Sequence, residues 1–311
     1  MIGRSDDLSR LARFPGGQPN YVAMIEAMRR DDVVLVEGLS PTEADVVVGE
    51  IADRLGLGEQ LALQAAFASV HGHRSNVGQS FMSVNRRRDY EFISAHSEGL
   101  HSIGMQLAAF YCRHNTTDGG YSVLLNVDSD SPVWRRLQDV RVKVDLCGRS
   151  LSAAEITMAR MRYQIAIPDD LLGDRDRVLA ERPSPLAGAR FYDVLAPVRS
   201  LRSRILDADL NVYWDSVAST DSDAADEYCS LLRALGLLRL PAGGLDVAEL
   251  DNAHDRRLWR SGATYAELFK GMICRKLEPG ELIIQNNLTW AHSASNWTPG
   301  SGVRDVAAAF A

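Results

Sequence analysis

Four cysteines in 311 residues are few for a chain of this length, and Cys112, Cys147, Cys229 and Cys274 include no CxxC pair. That scatter argues against a zinc knuckle and against a dense disulfide framework, and leaves free thiols in a reducing compartment as the expectation. Long apolar runs are missing as well. Nowhere do about 18 apolar residues stand together, and the opening MIGRSDDLSRLARFPGG has no apolar stretch of the kind a secretory leader needs. A cytoplasmic protein with no membrane partner is the economical expectation. Positive charge is also in short supply: 34 Lys and Arg stand against 41 Asp and Glu, a net charge of -7, so no overall positive field attracts nucleic acid or an anionic bilayer. The short run Arg86-Arg87-Arg88 reads as a solvated face or a local anion contact. Internal repeats and low-complexity tracts are absent too, which argues against a solenoid or a repeat array.

What is present is ordinary globular material, with 46% hydrophobic residues, enough for a substantial core. The best helix signal lies in SPTEADVVVGEIADRLG. Ser40 can cap, Pro41 suits the first helical position and Glu43 completes a capping box. Val47, Ile51 and Leu55 recur on one face until Gly56 stops the helix. DVVLVEG before it reads as a buried strand, preceded by the amphipathic YVAMIEAMRR. From Phe92 onward short strand patterns take over: EFISA, LAAFYCRH, YSVLLNVD, VRVKVDL, part of RYQIAI, LNVYW, GMICRKL, GELIIQN and RDVAAAF. NTTDGG between the second and third of these suggests a hairpin, since Asp-Gly-Gly supplies positive φ angles, and Pro279-Gly280 turns the chain before GELIIQN. Helices are expected at the start and around Asp223 to Leu238. The class is therefore mainly β with helical decoration, a β-sandwich or jelly roll. One domain over 1–311 is expected, with a lid or insertion around 140–215, where the Arg-, Asp- and Pro-rich stretch from about Asp169 to Ser203 lies over one end of the sandwich.

The candidate chemistry begins at EFISAHSEGLHS. With seven histidines and 41 acidic residues in 311, about one histidine followed at +2 by a carboxylate is expected by chance, so His96-Ser97-Glu98 means nothing alone. Context adds weight. A strand turns residues i and i+2 to one side, so His96 and Glu98 can reach one ion from one piece of backbone. A facial triad of two histidines and one carboxylate, which suits non-haem ferrous iron and leaves positions open, needs one further histidine. PGELIIQNNLTWAHSASNW offers His292 just after a strong strand. Arg304 opens the next strand, where its guanidinium can clamp a carboxylate in two-pronged fashion.

With HSE, DGGYS, PGELIIQNN, the distal histidine and the final-strand arginine in this order, the sequence resembles the iron(II)/2-oxoglutarate-dependent dioxygenases of the taurine dioxygenase and clavaminate synthase group. The resemblance covers most of the chain and is weak between about 140 and 270. It implies a double-stranded β-helix, a jelly-roll variant. It also implies His96, Glu98 and His292 as catalytic Fe(II) ligands, Arg304 as partner of the distal carboxylate of 2-oxoglutarate, Ser122 as a hydroxyl at its other carboxylate, and O2 as oxidant. Glu98 in place of Asp, followed by GLHS, matches the clavaminate synthase branch, whose members act on amino acids and their derivatives. Retention of this carboxylate argues against halogenation, and Ala308, where sulfonate-binding members carry a second arginine, argues against taurine.

The resemblance therefore implies oxidation of an unactivated C–H bond of a small polar molecule, such as an amino acid derivative of specialised metabolism. Hydroxylation leads the list, with desaturation or cyclisation as alternatives. Arg74, Gln79, Asn85 and His101 are candidate substrate-binding residues, weighed against a surface reading for each. His71 and His73 lack a third ligand and read as loop or pocket lining, His114 and His254 as exposed. Trp290 and Trp297 read equally as site walls or core. Two rival readings keep the same residues: a jelly-roll binding protein without a working metal centre, and a metal-dependent isomerase or hydrolase that uses no oxygen.

Overall fold

The computed structural model of the chain describes residues 8–70, 74–84, 90, 93–98, 104–128, 132, 140–163, 165–184, 186–195, 199–212, 222–241 and 265–311. In chain order these form β1 (Leu11–Pro15), α1 (Tyr21–Arg29), β2 (Val33–Glu37), α2 (Pro41–Arg54), α3 (Gly58–Val70), β3 (Met82–Ser83), β4 (Ile93–His96), β5 (Leu107–Asn115) and β6 (Ser122–Val127). Then come β7 (Val140–Asp145), α4 (Ala153–Tyr163), β8 (Arg177–Arg182), β9 (Arg190–Leu195), β10 (Arg199–Ser203), β11 (Ala208–Val212) and α5 (Ser222–Ala234). The C-terminal part holds α6 (Tyr265–Leu268), β12 (Phe269–Arg275), β13 (Leu282–Asn286), β14 (Trp290–Ala294) and β15 (Arg304–Phe310). The architecture is mostly sheet with added helices. Among the described residues no helix is long and apolar enough to cross a membrane.

The chain divides into two compact units, Met1–Trp134 with Ser200–Ala311, and Arg135–Arg199. The larger contains a six-stranded sheet in the order β1-β2-β13-β5-β15-β3 and a four-stranded sheet in the order β12-β6-β14-β4. Leu35, Cys112, Ile283 and Val306 of the first sheet share one buried cluster with Leu124, Ile273 and Trp290 of the second, so the two sheets face each other across a core. The opposite face of the six-stranded sheet, with Val34, Leu107, Ala109, Ile284, Ala307 and Ala309, is covered by α1 and α2. Its central strands are thus buried on both faces, which is why LIIQN and VAAAF read as continuous apolar runs rather than alternations. Burying one such Leu or Ile contributes roughly 1.5–3 kcal/mol.

Local chemistry starts and stops the covering helices. The Ser40 hydroxyl accepts from Glu43 N–H at 3.3 Å while Glu43 Oε2 accepts from Ser40 N–H at 2.7 Å, the reciprocal capping box anticipated from the sequence. Gly56, at φ +69°, ends the turn after α2. α3 carries apolar residues all round rather than in one stripe, so it gives no periodic signal.

Two expectations need correction. β5 and β6 are not a hairpin: β5 pairs with β13 and β15, and β6 with β12 and β14. The intervening turn carries the chain from one sheet to the other. It passes so near Asn296 that a Cβ on Gly119 would stand 2.0 Å from the Asn296 carbonyl oxygen. Among its described residues RYQIAI is not a strand either. α4 runs through Tyr163, and the segment after it is a turn in which the Asp170 carboxylate accepts from Ala166 N–H at 2.7 Å. The smaller unit holds this helix and the antiparallel sheet β7-β9-β8 around Val144, Ala159, Ile165 and Phe191.

Candidate metal centre

β4 and β14 are antiparallel neighbours with His96 directly opposite His292, and side chains at paired positions share a face of the sheet. The two imidazoles accordingly meet, with ring centroids 4.5 Å apart and planes at 60°. Glu98 lies two residues past the end of β4, and its Oε1 is 4.0 Å from His96 Nε2. One ligand atom from each of His96, Glu98 and His292 lies within 4.8 Å of the others, although 194 positions separate the last two. Among the described residues they are the one group of three or more His, Cys, Asp or Glu so placed. Ser97 between the first two is buried, and its hydroxyl has no hydrogen-bond partner among the described residues.

Aromatic and polar side chains surround this group. Phe110 of β5 stands 4.7 Å and Phe310 of β15 6.0 Å from the His292 ring, centroid to centroid. Burial first, then the neighbouring His96 and Arg74, push the His292 pKa well below the usual histidine value, which favours the neutral imidazole that a metal needs. Gln285 Nε2 donates to the Trp290 carbonyl at 2.9 Å and lies 3.3 Å from His292 Nδ1. Trp290 is fully buried and donates its Nε1–H to the Asp31 carbonyl at 3.0 Å, so it is a core residue. Asp31, at φ +64°, thus ties the loop before β2 to the strand that carries His292, and its carboxylate also accepts from Arg10 and from Asn126 of β6.

Arg74 belongs to this group. Its Nη2 is 3.1 Å from Glu98 Oε1, its Nη1 donates to Met82 Sδ at 3.5 Å, and its guanidinium lies 5.7 Å from the Phe310 ring centroid. Gln79 is exposed and its backbone N–H is held by the Asp45 carboxylate at 3.0 Å. Asn85, His101, His71, His73 and His254 lie outside the described residues, and His114 is exposed. Ser122 opens β6 two residues before Leu124, the partner of His292, and so shares the inward face with it. Arg304 opens β15, where Val306, Ala308 and Phe310 alternate inward toward the second sheet. The Arg304 Nε–H donates to the Gly120 carbonyl at 3.1 Å, and its guanidinium stands 6.0 Å from the Trp297 ring centroid.

Sequence reasoning missed Asn287, Gln285, Phe110 and Phe310. Asn287 accepts from Glu98 N–H and donates to the Glu98 and Met105 carbonyls. The only trace of it in the chain is the QNN that follows LII.

The donor set fits ferrous iron. Two imidazoles and one carboxylate, gathered on one side, leave further coordination positions for other ligands. No protein-family model and no curated protein matches the chain. Solved structures similar to it include non-heme iron oxygenase OrfP in complex with Fe, succinate and (3R,4R)-dihydroxy-L-Arg, at 10% identity over 94% of this chain and 80% of that one, TM-score 0.37. OrfP in complex with Fe and alpha-ketoglutaric acid matches at 10% identity, 93% and 77% coverage and TM-score 0.36. A Burkholderia xenovorans protein described as an alpha-ketoglutarate dependent 2,4-D dioxygenase matches at 12% identity, 96% and 93% coverage and TM-score 0.41.

Proposed function

We propose that this chain is an Fe(II)/2-oxoglutarate-dependent oxygenase with a double-stranded β-helix as its catalytic domain, the residues around 140–215 forming an insertion. The observation that carries the reading is the meeting of His96, Glu98 and His292 within 4.8 Å at the paired strands β4 and β14 of the four-stranded sheet. In this reading the three side chains hold the iron. Arg304 pairs with the distal carboxylate of 2-oxoglutarate, whose burial without a cation would be strongly unfavourable, and the Ser122 hydroxyl donates to its other carboxylate.

When bound, the iron supplies oxidising power toward an unactivated C–H bond, with O2 as oxidant and succinate and carbon dioxide as co-products. The chain's own residues orient and enclose. Phe110 and Phe310 exclude water from the His292 side, the buried His292 stays unprotonated, and Arg74 offers a cation beside the site for a polar substrate. The substrate class is a small polar molecule such as an amino acid derivative, and hydroxylation is the reaction, with Gln79, Asn85 and His101 as further contacts.

The test is direct. Anaerobic protein with Fe(II) and 2-oxoglutarate is expected to develop a weak visible charge-transfer band, and His96→Ala and His292→Ala are expected to abolish it. Retention of the band in both variants overturns the site. Succinate release in a screen of amino acids and cyclic dipeptides then separates the oxygenase from an isomerase or hydrolase built on the same ligands.

A further inference from the structure

The β4–β14 ladder stops at the pair His96–His292, so Glu98, two residues on, has no strand neighbour among the described residues to fix its backbone. Asn287 takes that place. Its Oδ1 accepts from Glu98 N–H at 3.2 Å, while its Nδ2 donates to the Glu98 carbonyl at 2.8 Å and to the Met105 carbonyl at 2.9 Å. One carboxamide thus satisfies both backbone polar groups of Glu98, as a paired strand would. Asn287 is itself fully buried and anchored by its own N–H, which donates to the Gln106 carbonyl at 2.8 Å.

A turn asparagine ordinarily bonds to backbone close by. Asn286 does this, its Oδ1 accepting from Leu288 N–H at 3.0 Å. The Asn287 side chain does the opposite: its three hydrogen bonds reach 182 or 189 positions along the chain. Five residues further on stands His292, so the turn that leads into the strand of one triad member grips the backbone of another.

We infer that Asn287 is a positioning residue of the metal centre, clamping Glu98 so that its carboxylate meets His96 and His292; the inference rests on the metal-site reading above. Partners that orient metal ligands typically change metal affinity by about 10- to 100-fold when removed. The experiment titrates the full chain with Co(II), followed by visible absorption, for wild type, Asn287→Ala, Asn287→Asp and Tyr111→Phe. Asp keeps the acceptor for Glu98 N–H and loses both donated bonds. Tyr111→Phe removes a buried hydrogen bond to the Leu39 carbonyl, 2.8 Å long and on the helix-covered side of the larger sheet, and serves as a control for stability alone.

The expected result is Co(II) binding by wild type and by Tyr111→Phe with the same Kd and spectrum. Both Asn287 variants are expected to bind about 10- to 100-fold more weakly, with an altered spectrum. Co(II) affinity within twofold of wild type in both Asn287 variants overturns the positioning role and leaves the metal site standing. Absence of Co(II) binding by wild type overturns the site itself, and the inference with it. Hydrogen exchange on wild type adds a reading that needs no variant: the Glu98 amide is expected among the slowly exchanging amides, and rapid exchange there overturns the clamp.

Discussion

Replacing Arg74 by glutamine removes the cation that shares Glu98 with the candidate metal. Arg74 Nη2 lies 3.1 Å from Glu98 Oε1, and each side chain is 24% exposed. At that separation Coulomb's law gives about 5 kcal/mol at an effective dielectric of 20 and about 1.3 kcal/mol in bulk water. Partial exposure and the side-chain entropy of holding the pair place the net value near the lower end, about 1 kcal/mol. A divalent cation bound to the same carboxylate must share it with the guanidinium and sits within its repulsive field. Arg74→Gln is therefore expected to tighten Co(II) binding by about fivefold, the equivalent of about 1 kcal/mol. Raising the salt concentration is expected to narrow the gap between the two proteins, because screening weakens repulsion in wild type only. The assay is equilibrium titration under matched buffer, with circular dichroism to confirm an intact fold. Unchanged or weaker binding by a folded Arg74→Gln protein refutes the argument, since the guanidinium would then be supporting the ligand rather than competing for it.

Three further expectations follow from other parts of the molecule. Gly120 has φ +68°, and a Cβ there would stand 2.8 Å from Arg304 Cδ and 2.9 Å from Thr117 Oγ1; Gly120→Ala is expected to displace the Arg304 side chain and weaken 2-oxoglutarate binding about tenfold or more, given backbone strain of about 1–3 kcal/mol, as measured by calorimetric titration. Burial lowers the His292 pKa well below the usual value, so below about pH 6.5 the unfolded chain binds a proton that the metal-free native state resists. This contribution to stability is intact above that pH and is lost as pH falls, and urea titrations of wild type and His292→Ala at pH 7.5 and 5.5 are expected to show a larger loss in wild type. Burial raises the Cys112 thiol to about 11, whereas Cys147 is exposed. Brief alkylation of native protein at pH 8 is expected to modify Cys147 and spare Cys112, as read by peptide mass spectrometry.

Features written in neighbouring residues were legible before any coordinates. Ser40, Pro41, Glu43 and Gly56 specify the ends of α2 through hydrogen bonds and dihedral preferences that operate within a few positions. The apolar runs of β2, β13 and β15 announced strands, the first of them a buried one; that the central strands are covered on both faces came from the packing. The three candidate ligands could be named because HSE and the distal histidine keep a recognisable order. Pairing was not legible in the same way. Asp-Gly-Gly after β5 offers positive φ, which Gly120 adopts, yet that freedom serves a chain that returns beside its own strand and one that crosses to the facing sheet alike. Long-range packing chose the crossing, with Gly119 fitted against the Asn296 carbonyl. The same holds for Asn287. A carboxamide in a turn looks alike in sequence whether it bonds to its neighbours or to Glu98, and only the meeting of β4 with β14 brought residue 98 within its reach. Short-range chemistry selected the elements; the choice of which elements touch, and hence whether two imidazoles and a carboxylate converge, belongs to the burial of two sheets against each other.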